Sequence, residues 1–161
     1  MERPELQGQH IRLEPLDLAH GDGLAAASAG DGHLYRWSPV PRGKREVDRY
    51  IETALSWQRA GTAAAFAILR ANDGLVIGST RFWNLEYWAW PENHPSHGRS
   101  VPDACEIGYT WLASSAIRTG ANTEAKLLML RHAFEVWQVL RVCFHADARN
   151  QRSRAALERI G

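Results

Sequence analysis

Residues 116–134, AIRTGANTEAKLLMLRHAF, pass abruptly from a polar turn into an apolar helix. The preceding segment, ACEIGYTWLA at residues 104–113, is rich in aromatic and β-branched residues, which favours a strand. A short turn between a strand and a helix leaves several backbone N–H groups unpaired at the helix start, where the positive end of the helix dipole also lies. An anion, above all a phosphate, is therefore the natural ligand of this turn.

Two residues of the turn strengthen that interpretation. Gly120 lets the backbone approach a ligand closely, and Arg118 can donate charge-assisted hydrogen bonds to a phosphate oxygen. The alternative is that Thr119 or Asn122 only caps a core helix. The sequence contains neither G-x-x-x-x-G-K-[ST] nor G-x-G-x-x-G, so ATP and NAD binding lose support.

The composition predicts a single domain over residues 1–161. The chain has 161 residues, of which 45% are hydrophobic and 23% charged, and this is enough to bury one core. The formal net charge of +1 includes no polybasic block, which argues against nucleic acid as a partner. No apolar run approaches the roughly 18 residues that span a bilayer, and the N-terminus lacks the pattern of a secretion signal. We therefore expect a cytoplasmic protein with no membrane partner.

Metal and thiol chemistry find little support in the sequence. His94 and His97 form H-x-x-H inside a proline-containing loop without a third ligand, so no metal site is predicted. Two cysteines are too few for a disulfide framework. The remaining residues of this kind are expected to be structural, namely Cys105, Cys143, His132 and His145.

The hydrophobic pattern predicts an α/β (α+β) fold with a mixed sheet. A right-handed crossover makes the strand at residues 105–112 parallel to the strand at residues 141–146. Glycine commonly ends a helix and is followed by a further element of structure. Because the sequence stops at Gly161, we expect it to lack C-terminal strands. The predicted order is a strand at 10–16, a helix capped by Asp17, a helix at 45–61, strands at 64–70 and 75–83 around Asp73–Gly74, a loop at 84–103, a strand at 104–113, a helix at 123–137, a strand at 140–147 and a helix capped by Asn150.

The chain from about Ile11 to Gly161 resembles the GCN5-related N-acetyltransferase (GNAT) superfamily, and the segment from Cys105 to Gly161 is the most specific part of this resemblance. Within it, the chain is similar to the group of ribosomal-protein N-terminal acetyltransferases, the RimJ/RimL-like group. The resemblance rests on the strand EIGYTWL, the turn RTGANT, the helix beginning TEAKLL and the segment RVCFHADARNQRSRAALERIG. The family's pyrophosphate turn, Q/R-x-x-G-x-G/A, matches residues 117–122 with Gly120 in the central position, while Ile117 and Asn122 depart from it.

The resemblance implies a mixed, mostly antiparallel sheet flanked by helices, with a splayed pair of parallel strands. It also implies acetyl-CoA as co-substrate, with its pantetheine arm in the gap between the splayed strands. A backbone N–H near Trp111 or Leu112 would then hold the thioester oxygen. The implied cofactor-binding residues are Tyr109, Thr110, Trp111, Leu112, Arg118, Thr119, Gly120, Ala121, Asn122, Thr123, Asn150 and Ser153.

Two residues are candidates for proton transfer. By the same resemblance, Ser153 is a proton donor to the leaving thiolate. An attacking ammonium must first lose a proton, and Glu106, which alternates with Ile107, is the candidate base. The alternatives are that Asn150 and Ser153 form a plain helix cap and that Glu106 is an ordinary edge charge.

The tryptophan-rich segment RFWNLEYWAWPEN, residues 81–93, has several possible roles. It could pack in the core under a long connection, or it could form a homodimer contact. A third role is to line the site of the acceptor, where Glu86 and Glu92 would attract a cationic amine. The predicted activity is transfer of an acetyl group from acetyl-CoA to a primary amine, on a protein N-terminus or a small molecule, by direct attack. The alternative is a catalytically degenerate CoA-binding protein or a dimeric interaction protein of the same fold.

Overall fold

The computed structural model describes residues 4–30 and 32–160, which form six strands and four α-helices. The strands are β1 (Leu6–Gln7), β2 (Ile11–Pro15), β3 (Ala63–Arg70), β4 (Val76–Glu86), β5 (Ala104–Leu112) and β6 (Arg141–Cys143). The helices are α1 (Gly21–Ala27), α2 (Gly43–Arg59), α3 (Ala121–Arg131) and α4 (Gln151–Glu158). Among the described residues, no helix is long and apolar enough to span a bilayer.

The strands form one sheet in the order β1-β2-β3-β4-β5-β6. Every neighbouring pair is antiparallel except β5 and β6, which are parallel. The parallel pairing covers only Ala104–Glu106 against Arg141–Cys143, after which β5 continues to Leu112 without its partner. The predicted mixed, mostly antiparallel sheet with a splayed parallel pair is therefore confirmed.

Helices cover both faces of the sheet. The apolar stripe of α2, with Val47, Ile51 and Ala54 buried, packs with α1 on one face, here called the α2 face. On the opposite face, the α3 face, Ala125 and Met129 pack against Phe82 and Ile107. Because side chains alternate along a strand, each residue of β5 is assigned to one of these two faces.

A β-bulge changes that alternation in the middle of β5. Ser79 pairs with Trp111 and Arg81 with Gly108, so three residues of β4 oppose four of β5. Tyr109, at this point, adopts a φ of 51°, which is uncommon for a residue other than glycine. The bulge places Tyr109 near the side chains of the α2 face, while the hydroxyl of Thr110 meets that of Thr80 beside α3.

The ends of several elements differ from the sequence expectations. The helix predicted over residues 123–137 begins at Ala121 and stays α-helical only to Arg131, after which His132–Val136 form a π-helical turn. β4 extends to Glu86, so the predicted loop at 84–103 is shorter. Propensity locates an element well but its ends poorly, because ends depend on tertiary contacts. The predicted caps are confirmed, since Asp17 accepts from the N–H of Ala19 and Asn150 from that of Ser153.

Candidate functional site

A cavity of about 720 Å³ lies where β5 and β6 separate. One wall is the unpaired part of β5, and the opposite wall is the chain that continues from β6 through residues 144–147 into α4. Asn122 and Lys126 of α3 also line the cavity, and so do residues 34–35 and 37–39. The splayed strands thus open directly onto the start of a helix.

The start of α3 has the features of an anion site. Gly120 is the N-cap residue, in the left-handed region at φ 84°, and no side chain caps this helix end. The hydroxyl of Thr119 donates instead to the carbonyl of Ala116, 2.7 Å away. The alternative that Thr119 or Asn122 caps the helix is therefore wrong, and the first-turn N–H groups keep the positive end of the helix dipole available for a ligand.

Only part of the predicted turn lines the cavity. Ile117, Arg118 and Asn122 do so. Thr119, Gly120, Ala121 and Thr123 are not among the lining residues, and the side chain of Ala121 is buried in the core. A Cβ built on Gly120 would meet no protein atom within 4 Å, so the space beside this backbone is open to a ligand.

The predicted β5 residues all line the cavity, but they contribute differently. Trp111 and Leu112 are 5% and 9% exposed, so they present little more than backbone to the opening. Tyr109 presents a ring, packed edge-on against Trp57 and Trp83 with centroids 5.7 and 5.5 Å away. The guanidinium of Arg81, which is 1% exposed, lies 4.4 Å from the Tyr109 ring centroid on the same side. This aromatic cluster forms the wall of the cavity toward the α2 face.

Glu106 lies at the point where the parallel strands separate. Its Oε1 is 2.9 Å from Nδ1 of His145, and their side chains are 12% and 76% exposed, respectively. The two residues come from the opposite walls of the cavity, and both line it. The sequence suggested that His145 is structural. Its ring instead contacts the half-buried carboxylate of Glu106 on one side and is exposed to solvent on the other. The sequence feature that could have identified His145 as a cavity residue is its position near the end of a predicted strand, two residues after Cys143.

Asn150 and Ser153 line the cavity from the start of α4. The carboxamide oxygen of Asn150 accepts from the backbone N–H of Ser153 at 3.1 Å, which leaves the serine hydroxyl out of the cap. Cap and cavity lining are therefore compatible at this position. Asp147, on the same wall, has its pKa lowered to about 2 by hydrogen bonds from Arg149.

Lys126 is a cavity residue for which the sequence gave no prediction. It is 5% exposed, and its Nζ donates to Oγ1 of Thr110 across a distance of 2.6 Å. Burial lowers the pKa of Lys126 from 10.5 to about 7. Helical spacing could have indicated that Lys126 is buried, because it lies three residues before the buried Met129 and therefore on the same, core-facing side of α3.

The tryptophan-rich segment divides between two environments. Trp83 belongs to β4 and lines the cavity, whereas Trp88 and Trp90 lie in the loop beyond it. Asp103, which is 1% exposed, holds that loop by accepting from the backbone N–H of Trp88 and from Nε1 of Trp90, at 2.7 and 2.8 Å. The loop is thus anchored to the fold beside the site.

The two acidic residues of this segment do not line the cavity, contrary to the alternative that they attract the acceptor there. Glu86 accepts from Nε1 of Trp88 and pairs with Arg141. Glu92 is exposed in the loop.

Metal and thiol chemistry remain unsupported in the part of the chain that the structure describes. No group of three or more His, Cys, Asp or Glu side chains there could hold a metal ion. His94 stacks on the ring of Trp90 with centroids 3.9 Å apart. Burial raises the pKa of the Cys105 thiol to about 12, so this cysteine is a core residue, as predicted, while Cys143 is half-buried.

Comparisons with known proteins agree with this geometry. YdaF of Bacillus subtilis (strain 168), named as a candidate ribosomal N-acetyltransferase, is 28% identical over 160 residues, 95% of this chain and 78% of that protein. A crystal structure of a GCN5-related N-acetyltransferase from Brucella melitensis superposes with a TM-score of 0.79 at 26% identity, covering 100% of this chain and 68% of that one. Mycobacterium smegmatis RimJ, solved in complex with CoA-disulfide, shares the fold at a TM-score of 0.75 and 23% identity, with 94% and 69% of the two chains covered.

The family assignment rests on the whole length of the fold. A family model described as an acetyltransferase (GNAT) domain matches residues 10–161, which include the split strands, the turn before α3 and the start of α4. The expected resemblance is thereby confirmed. This chain belongs to the GNAT family of acetyltransferases, which use acetyl-CoA as the acyl donor.

Proposed function

We propose that this protein transfers an acetyl group from acetyl-CoA to a primary amine by direct attack of the amine on the thioester. The observation that carries the proposal is that one cavity joins an uncapped helix start to the opening between two separating parallel strands. The helix start suits the phosphates of CoA, and the opening suits its extended arm.

The residues present fit acetyl-CoA. The first-turn N–H groups of α3, with Arg118 and Asn122, would hold the pyrophosphate. The arm would run along Tyr109–Leu112, where the edge of β5 toward β6 has lost its partner strand and offers backbone groups for hydrogen bonding. When bound, acetyl-CoA supplies an activated acyl group, and a backbone N–H near Trp111 or Leu112 would stabilise the developing negative charge on its oxygen.

The Glu106–His145 pair supplies a route for the proton of the acceptor. Glu106 accepts a proton from the incoming ammonium, directly or through water, and His145 connects the carboxylate to solvent. Ser153 lies on the opposite wall of the cavity, from which its hydroxyl can donate a proton to the leaving thiolate. Positioning of amine and thioester in one cavity supplies much of the remaining acceleration.

A protein N-terminus is the acceptor that we favour within the class of primary amines. The relative YdaF is named for ribosomal N-acetylation, which supports a peptide acceptor by analogy. The cavity lining includes the aromatic side chains of Tyr109, Trp83 and Trp37, and aromatic surfaces of this kind bind peptide side chains well. A panel of short peptides and small amines, scored by release of free CoA thiol, distinguishes the two acceptor classes.

Calorimetric titration of acetyl-CoA tests the binding site. Gly120→Val should abolish binding, because its side chain occupies the open space beside the helix start and a β-branched residue is strained at φ 84°. Gly61→Val is the matched control, since Gly61 has φ 73°, open surroundings and a place at the end of α2 away from the cavity. The proposal fails if the unsubstituted protein binds no acetyl-CoA, or if Gly120→Val binds as well as Gly61→Val.

Thiol release separates the enzyme from its rivals. Binding of acetyl-CoA without release of thiol by any amine would favour a catalytically degenerate CoA-binding protein. Absence of binding together with a stable dimer would favour an interaction protein of the same fold. A measurement of mass in solution accompanies the titration for that purpose.

A further inference from the structure

Lys126 is a buried titratable group of the cavity that the proposed reaction leaves unused. The sequence contains 19 lysine and arginine residues, of which only Lys44 and Lys126 are lysines. Lys44 is on the surface, with its Nζ 2.7 Å from Asp48 and 3.3 Å from Asp22. The two amines therefore sit in opposite environments, one solvated and paired, and one buried inside the cavity.

The amine of Lys126 lies across the opening between the strands. Its Nζ is 2.6 Å from Oγ1 of Thr110 on β5 and 5.5 Å from the ring centroid of Phe144, which continues from β6. Thr110 belongs to the segment along which the arm of CoA would run. Lys126 thus reaches the opening from the α3 face, while Glu106, on the alternate side of β5, serves the α2 face.

No acidic side chain of the described residues forms an ion pair with Lys126. Its Nζ contacts the hydroxyl of Thr110 and the ring of Phe144. Of the acids that line the cavity, Glu106 contacts His145 and Asp147 contacts Arg149. An ammonium buried without a counterion is costly and tends to release its proton. Burial accordingly lowers the pKa of Lys126 to about 7, so a large fraction of this amine is neutral, and nucleophilic, near neutral pH.

We propose that Lys126 is a self-acylation site, at which its Nζ takes the acetyl group of acetyl-CoA bound in the same cavity. This inference rests on the proposed function, because it requires the thioester to lie at the opening between the strands. The nitrogen lone pair attacks the carbonyl carbon, a C–N bond forms and the C–S bond breaks. The sulfur leaves with the electron pair and takes up the proton that the nitrogen loses. The products are an acetylated Lys126 and free CoA, with no change in oxidation state.

Burial confines this reaction to bound acetyl-CoA. Lys126 is only 5% exposed, so a reagent in bulk solvent reaches its amine poorly. An acyl group bound inside the cavity would instead be held next to that amine. Acetylation removes the charge and adds bulk at the opening, which would hinder the entry of a second donor.

Mass spectrometry of the full chain tests the inference. The protein is incubated with acetyl-CoA and no acceptor, and its intact mass and its peptides are measured over time. We expect one acetyl group to accumulate on Lys126 well ahead of Lys44. An excess of free CoA should slow the modification of Lys126 at least several-fold, by competition for the cavity, and should leave any slow modification of Lys44 unchanged.

Two substitutions serve as matched controls. Lys126→Arg should lose the acetylated peptide, and Lys44→Arg should retain it at the original rate. Calorimetry on the same samples separates the possible failures, because absence of acetyl-CoA binding contradicts the proposed function. Binding with an unmodified Lys126, or modification that excess CoA does not slow, overturns the self-acylation site and leaves the proposed function standing.

Discussion

At the scale of single residues, the cavity combines two charged groups whose environments differ sharply. Glu106 is paired with His145 at the rim, whereas Lys126 is buried with a hydroxyl as its partner. A lone carboxylate in an alternating strand could be noticed in the sequence, so Glu106 was predicted as a candidate base. Neither His145 nor Lys126 could be assigned, because their roles depend on which chain segments meet across the opening.

Glu106→Gln tests the proposed route of the acceptor proton. The carboxamide keeps the size of the side chain but cannot take up a proton, so we expect kcat to fall by about 10²–10⁴-fold. Acetyl-CoA affinity should change little, because Glu106 lies apart from the phosphate-binding turn. Steady-state kinetics and calorimetry measure the two quantities, with the exposed Glu52→Gln on α2 as the control. An unchanged kcat at every pH would show that Glu106 is an ordinary edge charge.

Lys126 should make the stability of the fold depend on pH. Its pKa is about 7 in the folded protein against an ordinary value of 10.5, so between these values the unfolded chain binds the additional proton. The free energy of unfolding should therefore rise with pH in this window, by up to about 1.4 kcal/mol per pH unit. The cost of burying the ammonium is fully present below pH 7.

Chemical denaturation at a series of pH values measures this slope. Lys126→Met removes the titrating group, so the slope between pH 7 and 10.5 should flatten and the variant should gain most at low pH. Lys44→Met is the control, because an exposed lysine whose pKa is raised by Asp48 and Asp22 does not release its proton within that window. An identical slope in Lys126→Met and the unsubstituted protein would contradict the assignment.

At the scale of elements, the position of α3 decides whether the helix start faces the split strands. A single side chain ties its first turn to the other end of the sheet. The carboxylate of Glu124 accepts the backbone N–H groups of Gln9, His10 and Ile11, at 2.6, 2.9 and 3.0 Å. These hydrogen bonds join α3 to the turn between β1 and β2, more than a hundred residues earlier in the sequence.

Glu124→Ala should destabilise the fold because three backbone donors lose a charged acceptor. Hydrogen bonds to charged groups contribute more than neutral ones, but those from Gln9 and His10 are exposed to solvent, so we expect a loss of about 1–3 kcal/mol. Denaturant titration measures it. Glu135→Ala, on the π-helical turn after α3, is the control, since the Glu135 side chain is 65% exposed and its ion pair with Arg131, at 3.6 Å, lies at the surface. Equal losses in the two variants would show that Glu124 is not an anchor.

At the scale of the whole molecule, the gap between β5 and β6 is lined by different groups on the two faces of the sheet. The helix start, Lys126 and the core of α3 lie toward one face, and the aromatic wall and Glu106 lie toward the other. In the proposed reaction, donor and acceptor would therefore reach the gap between β5 and β6 from different sides. The limits of the domain at residues 1–161, the expected lack of C-terminal strands, the cytoplasmic location and the homodimer stay predictions.

Acetyl-CoA should stabilise the folded protein, because its site exists only when β5, β6, α3 and α4 are assembled. At a concentration of 100 times Kd, a ligand that binds only the folded state adds about 2.7 kcal/mol, which corresponds to a rise in Tm of about 5–10 °C for a chain of this size. Thermal unfolding with and without acetyl-CoA measures the shift, and Gly61→Val should preserve it. The site assignment is wrong if Gly120→Val shows the same shift as Gly61→Val.

The sequence alone determined the order of the elements, the mixed sheet, the family and the turn before α3, because these depend on local periodicity and on residues close together in the chain. Only the tertiary structure decided where β5 and β6 separate, which turn residues line the opening, and that His145 and Lys126 join Glu106 at the cavity. Burial and pairing set the charge state of a side chain, and both arise from segments brought together by folding. The turn at Arg118–Asn122 therefore predicted an anion site, but the uncapped start of α3 and the adjoining gap are features of the packed structure.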